Sequence, residues 1–261
     1  MRVAIQFYGF MRYYETTYPL WKRLIDEYNA DVFIHTWDTE EYKDRTEKLE
    51  FDSSGQMPNS KKLNTEHIVS LYKPIAIVAE KYADHHETFK NKVLWMENFR
   101  KEYLTNNPEH IWINYDRYVS YASMYYTWLR VSQLKQTYEL ANDFIYDYVI
   151  HARTDFALTD IFSLDRLTYI ITPPWPNSSD KQSWINYDIG MNDYWAYGPS
   201  KAMDVYCSVY YNMEKIRDAC MNTPEISERD ATNAHVIPVI NLSLAGTYFL
   251  RHNNQHGNIL R

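Results

Sequence analysis

Residues 2–8 form a nearly unbroken apolar run that stops at Gly9-Phe10-Met11-Arg12, the pattern of a buried strand followed by a turn. Residues 16–29 then space Tyr18, Trp21, Leu24, Ile25 and Tyr28 as a helix does, and Asp31 to Asp38 reads as a second strand with a polar exit. Strand, helix, strand at this spacing is a βαβ unit, which pairs its strands in parallel and gathers their polar ends on one edge. Residues 39–64 are charged and carry Asp52-Ser53-Ser54-Gly55 and Met57-Pro58-Asn59-Ser60, so a mobile surface loop is expected there. Thr65 to Tyr72 is a short helix stopped by Pro74, and Ile75-Ala76-Ile77-Val78 is a third strand.

The polar stretch 86–104 is a candidate helix over the sheet edge, and the longest predicted helix covers 119–140, where Tyr121, Met124, Trp128, Val131, Leu134 and Tyr138 recur at three- and four-residue steps. It leads into Tyr146-Asp147-Tyr148-Val149-Ile150-His151-Ala152-Arg153-Thr154-Asp155, an alternating apolar run that empties into a cation and a carboxylate. Tyr169 to Thr172 is a further strand, 177–192 a long polar loop, and Asn192 to Gly198 a short strand breaking at Gly198, with Ser200 placed to cap a helix over 201–216. Thr223-Pro224-Glu225 is another helix start, and Gly246 to Arg251 a last strand. The expected fold class is α/β, a mostly parallel mixed sheet flanked by helices, as a single domain over 1–261 with a donor-side part of about 1–155 and an acceptor-side part of about 156–261.

Composition narrows the function. The 43 aromatics (25 Tyr, 8 Trp, 10 Phe) suit surfaces that stack on sugar or base rings, although most of them also fit a core. A net charge of −7 without a basic block argues against nucleic acid as a partner. Only Cys207 and Cys220 occur, so a reducing compartment fits. No signal-peptide pattern and no transmembrane segment of about 18 apolar residues is seen, which points to a cytoplasmic protein, in the host cytoplasm if the source is viral.

Chemistry concentrates at the strand ends. Asp155 has the character of a divalent-metal ligand, Arg153 or His151 that of a phosphate contact, and the same pair also reads as a strand closing in a surface ion pair. Gly9 stands alone between aromatics, so neither a glycine-rich triphosphate cradle of the nucleotidyltransferase kind nor a Gly-Lys-Ser/Thr phosphate loop is present.

Taken in order, Gln6 to Arg12, Asp31 to Asp38, the aromatic helix near 121–131, Tyr146 to Asp155, Asn192 to Gly198 with Ala202-Met203-Asp204, and the strand ending at Arg251 resemble GT-A type nucleotide-sugar glycosyltransferases, specifically the small glycan-building enzymes of bacteria and large algal DNA viruses. The resemblance implies a Rossmann-like sheet, a nucleotide-sugar donor such as a UDP-sugar over the first strands, a glycan or polysaccharide acceptor, and Mn2+ or Mg2+ held by Asp155. The usual double carboxylate is reduced here to Arg153-Thr154-Asp155, which puts metal dependence in question. On this reading Arg12, Arg153 and His151 face the diphosphate, Gly9 and Phe10 belong to the donor-binding set, and His35, Thr36 and Trp37 lie where a base would stack or hydrogen-bond. Asp193, with Asp188 second, is the candidate base that takes the acceptor proton. His252 and His256 are spare metal ligands. The alternative is a non-catalytic glycan- or nucleotide-binding module with a degenerate site.

Overall fold

The computed structural model describes residues 1–40, 61–106, 115–159, 163–164, 169–172, 193–223, 234–247, 249–251 and 257–259. The first βαβ unit is β1 (Val3–Tyr8), α1 (Tyr14–Tyr28) and β2 (Asp31–Trp37). A two-stranded ribbon follows, β3 (Thr39–Glu40) with β4 (Lys61–Lys62), closing the ends of the charged segment whose middle, 41–60, lies outside the described residues. Next come α2 (Thr65–Tyr72), ending at Lys73 in the left-handed conformation one residue before Pro74, and β5 (Ala76–Glu80). The expected single helix at 86–104 is two, α3 (His86–Lys92) and α4 (Leu94–Asn106). The long helix is α5 (Tyr115–Ala141), followed by β6 (Tyr148–Ala152), β7 (Phe156–Leu158) and β8 (Ile170–Thr172). The chain continues through β9 (Trp195–Pro199), α6 (Ser200–Cys207), α7 (Val209–Asn222), α8 (Ile237–Leu244), β10 (Phe249–Arg251) and β11 (Gly257–Ile259).

Seven strands make one sheet in the order β10-β8-β9-β6-β1-β2-β5, parallel except for β9, which runs against both β6 and β8. The fold is therefore α/β with a mostly parallel mixed sheet. Every residue of β1 is buried, and alternate positions feed two cores. Ala4 and Tyr8 face a cluster with α5, α6 and α7, while Val3, Ile5 and Phe7 join Trp21 and Leu24 of α1 on the other side. A strand covered on both faces has no polar face to show, which is why its run reads as continuous. Among the described residues no helix is long and apolar enough to cross a membrane.

Three expectations for the C-terminal third are corrected. Ser200 is the first residue of α6 rather than its cap, with Pro199 at the cap position, because the Ser200 hydroxyl is used by Lys135 and Glu139, at 2.6 and 3.1 Å. The helix expected over 201–216 breaks at Ser208, whose hydroxyl donates to the Val205 carbonyl at 2.7 Å while Asn241 donates to the same carbonyl at 2.7 Å. Nor does β9 end at Gly198. A Cβ there would sit 3.0 Å from Ile170 Cα, so glycine lets β8 approach. The loop 177–192 and the helix start at Thr223-Pro224-Glu225 lie largely or wholly outside the described residues.

Candidate anion site at the carboxyl edge of the sheet

Parallel strands bring the ends of β1, β2, β5 and β6 to one edge, and the antiparallel β9 begins there too, with Trp195 opposite Ala152. That single reversal sets Asp193 beside Arg153, 40 residues earlier in the chain. The turn after β1 is tight: Gly9 has φ +79°, the Arg12 N–H donates to the Phe10 carbonyl at 2.8 Å, and Tyr13 enters α1 in the left-handed region. The turn after β6 is stitched to it. Thr154 donates its hydroxyl to the Phe10 carbonyl at 3.3 Å, and Thr17 of α1 donates to the Thr154 carbonyl at 2.6 Å.

Four charged side chains meet on this frame. The Arg153 guanidinium forks onto Asp155, Nε to Oδ1 at 2.9 Å and Nη2 to Oδ2 at 2.6 Å, and its Nη1 reaches Asp193 Oδ2 at 3.2 Å. Arg12 Nη1 lies 3.4 Å from Asp155 Oδ2. The Tyr8 hydroxyl donates to the Asp193 main-chain carbonyl, and the Arg153 backbone N–H holds the Tyr194 carbonyl at 3.1 Å. Burial, the largest single influence on Arg153, pulls its pKa down, but Asp155 and Asp193 together outweigh it and raise the pKa above the ordinary arginine value. Burial first and Arg153 second pull Arg12 down to about 10, against the attraction of Asp155, so both guanidiniums stay charged at neutral pH. Burial, then the Asp193 charge, push the Tyr8 phenol well up, so it remains a hydrogen-bond donor.

The structure thus brings together Gly9, Phe10, Arg12, Arg153, Asp155 and Asp193. Phe10 is half-buried, with the Arg12 guanidinium 5.6 Å from its ring. His151 is placed elsewhere: it is fully buried in the layer between sheet and α5, stacked on Tyr8 at 4.1 Å, with Nδ1 3.1 Å from Gln6 Oε1. Burial holds its pKa well below the usual histidine value, so it is neutral and offers no cation to a phosphate. His35, Thr36 and Trp37 are also buried; Trp37 is 1% exposed under Tyr82, Phe89 and Tyr126 and leaves no open ring face for a base. Asp188, His252 and His256 lie outside the described residues.

Sequence reasoning missed two groups on this edge. Tyr8 looked like the last apolar residue of a strand, and nothing in its phrase reveals the hydrogen bond to residue 193. Glu80, at the end of β5, accepts from Arg130 at 3.0 Å and Tyr126 at 2.8 Å, with His85 at 3.1 Å and His35 at 3.5 Å. The approach of His35, then the Tyr126 and Arg130 donors, hold its carboxyl down to about 2 against the opposing effect of burial. A charge ending a strand was the available signal.

Both Asp155 oxygens are engaged by guanidinium N–H groups, and among the described residues no three His, Cys, Asp or Glu side chains are grouped to hold a metal. Mn2+ or Mg2+ on Asp155 stays an expectation of the resemblance, since Asp188, His252 and His256 lie outside the described residues.

No protein-family model matches this chain, and no curated protein matches it in sequence. Among solved structures it is similar to a glycosyltransferase involved in the glycosylation of the major capsid of PBCV-1, at 12% identity and a TM-score of 0.35, covering 97% of this chain and 83% of that one. It is also similar to mouse xyloside xylosyltransferase 1 in its apo form, at 7% identity and a TM-score of 0.41, covering 96% and 84%. Likeness this weak says nothing of donor or acceptor.

Proposed function

We propose that this chain is a glycosyltransferase that moves a sugar from a nucleoside-diphosphate donor, a UDP-sugar first among those to test, to a glycan acceptor. The observation that carries the reading is the pair of charged guanidiniums, Arg12 and Arg153, both set on Asp155 at the carboxyl edge of the sheet, where α/β proteins bind nucleotides. The α1 N-terminus beside them has no side-chain cap, so its first N–H groups add to the positive potential there. Residues 1–155 would then supply most of the donor side and residues 156–261 the acceptor side.

The chemistry asks for what these residues offer. As the bond from the anomeric carbon to the phosphate oxygen breaks, its electron pair stays on the diphosphate, and Arg12 and Arg153 stabilise the growing charge. The acceptor hydroxyl oxygen forms the new bond, and Asp193 takes its proton. Two half-buried guanidiniums suit this better than lysines would, because a planar fork keeps its aim while it changes partners.

Calorimetric titration with UDP- and GDP-sugars, followed by hydrolysis and transfer assays on the donors that bind, tests the reading. It expects one nucleotide class to bind and Arg153→Ala to weaken that binding at least about tenfold, the worth of roughly one charge-assisted hydrogen bond. If no nucleotide sugar binds the folded chain, the reading falls. A donor that binds without turnover against any acceptor favours the binding-module alternative, which the engagement of Asp193 by Arg153 also suits.

A further inference from the structure

Arg153 divides its donors unequally. The fork onto Asp155 is short on both arms, and that carboxylate is 4% exposed. The third arm, Nη1 to Asp193 Oδ2, is longer at 3.2 Å, and Asp193 is 18% exposed. The fork fixes where the guanidinium points, and the third arm is the one that can be traded.

The Asp193 backbone is held without help from its carboxylate. Tyr8 holds its own carbonyl and the Arg153 N–H holds the next. Rotation about the side-chain bonds of Asp193 can therefore release Arg153 while the main chain stays in place.

We infer that the Asp193 carboxylate is a resident stand-in for the donor's phosphate: an incoming diphosphate takes the Nη1 arm of Arg153 and displaces it. This deepens the glycosyltransferase reading and rests on it. Before donor binds, the carboxylate neutralises part of the guanidinium charge and keeps stray anions out. Once displaced, the same carboxylate is free to accept the acceptor's proton, so the base becomes available only in the loaded site. One side chain then couples donor occupancy to chemistry, which limits proton abstraction when there is no sugar to transfer.

Competition has a measurable sign. A residue that serves only as a base leaves anion affinity unchanged when it is removed, and one that helps bind the anion weakens it. A competitor does the reverse. The test is calorimetric titration of the full chain, wild type and Asp193→Asn, Asp193→Ala and Asp193→Glu, with inorganic pyrophosphate and with UDP in the presence of EDTA. Removing a negative charge that shares the guanidinium with the ligand should tighten binding of both probes by about 5- to 50-fold in the Asn and Ala variants. Asp193→Glu, which keeps the charge on a longer stem, should stay within about threefold of wild type on the same scale. Wild-type binding with equal or weaker affinity in both neutral variants overturns the stand-in role and leaves the anion site standing. Tightening in Asp193→Glu to the same degree overturns it too. Failure of all four proteins to bind either probe overturns the site itself. Because Tyr8 grips the main chain, both neutral variants should fold, and the two of them guard against an artefact of either.

Discussion

Replacing Asp155 by asparagine keeps the size of the side chain and removes the charge that two guanidiniums face. The Arg153 fork loses one of its two acceptor oxygens, since an asparagine amide cannot accept at both positions. Charge-assisted hydrogen bonds contribute about 1.5–3 kcal/mol each, and breaking a buried pair costs about 3–5 kcal/mol. Both figures must be reduced here. Arg153 is 22% exposed and keeps Asp193, so water and the second carboxylate recover part of the loss. A net destabilisation of about 2–4 kcal/mol follows. Urea unfolding followed by tryptophan fluorescence reads it directly, with an m-value of about 2–3 kcal/mol per M and a midpoint lowered by roughly 1 M. A carboxylate whose purpose was to hold a metal would behave in the opposite way, because losing it from the metal-free protein leaves stability equal or higher. A midpoint within about 0.2 M of wild type, at unchanged m, would refute the claim that Asp155 anchors the two arginines.

Three other outcomes are expected. Lys135 is fully buried between Asp204 at 2.8 Å and Glu139 at 3.1 Å, so Lys135→Met leaves two carboxylates without their cation and should cost about 3–5 kcal/mol in urea unfolding; a loss under about 1 kcal/mol would show that water reaches them. Gly198→Ala places a methyl against the Ile170 backbone, and should lower stability by about 1–3 kcal/mol in the same assay, with an unchanged midpoint contradicting the close β8–β9 approach. Acid should destabilise the fold through one cluster. Glu80, depressed to about 2 from 4.5, stabilises above the unfolded value and loses that contribution as pH falls from about 4.5 toward 2. His35, held neutral by burial, adds a penalty below about 6.5, where the unfolded chain takes up a proton that the fold resists. Glu80→Gln should flatten the lower part of the stability curve between pH 4.5 and 2, and an unaltered slope would remove Glu80 from the account.

The strand ends were legible because β1, β2 and β6 are buried on both faces, and their apolar runs stop where the sheet stops. Arg12, Arg153 and Asp155 announce themselves there. The direction of β9 has no such signature: a short apolar run reads the same either way, yet its reversal decides that Asp193 meets Arg153. His151 was misleading for a related reason. It pairs in register with Gln6 on the neighbouring strand, so the two polar side chains meet through one contact, Nδ1 to Oε1, inside the core, and that register is invisible until the strands are aligned. Trp37 and His35 fell under α3 and α5, a layer whose path over the sheet depends on the long α5 and on a polar stretch without clear periodicity.

The central claim is that a nucleoside diphosphate lies between Arg12 and Arg153 at the carboxyl edge of the sheet. A crystal structure of the full chain with UDP, or with whichever nucleotide binds in titration, tests this most directly. The account predicts phosphate oxygens within hydrogen-bond distance of both guanidiniums, the Asp155 fork intact, and the Asp193 carboxylate turned away from Arg153 Nη1. A nucleotide seated elsewhere, or phosphates coordinated through a metal on Asp155 with the fork broken, would contradict it.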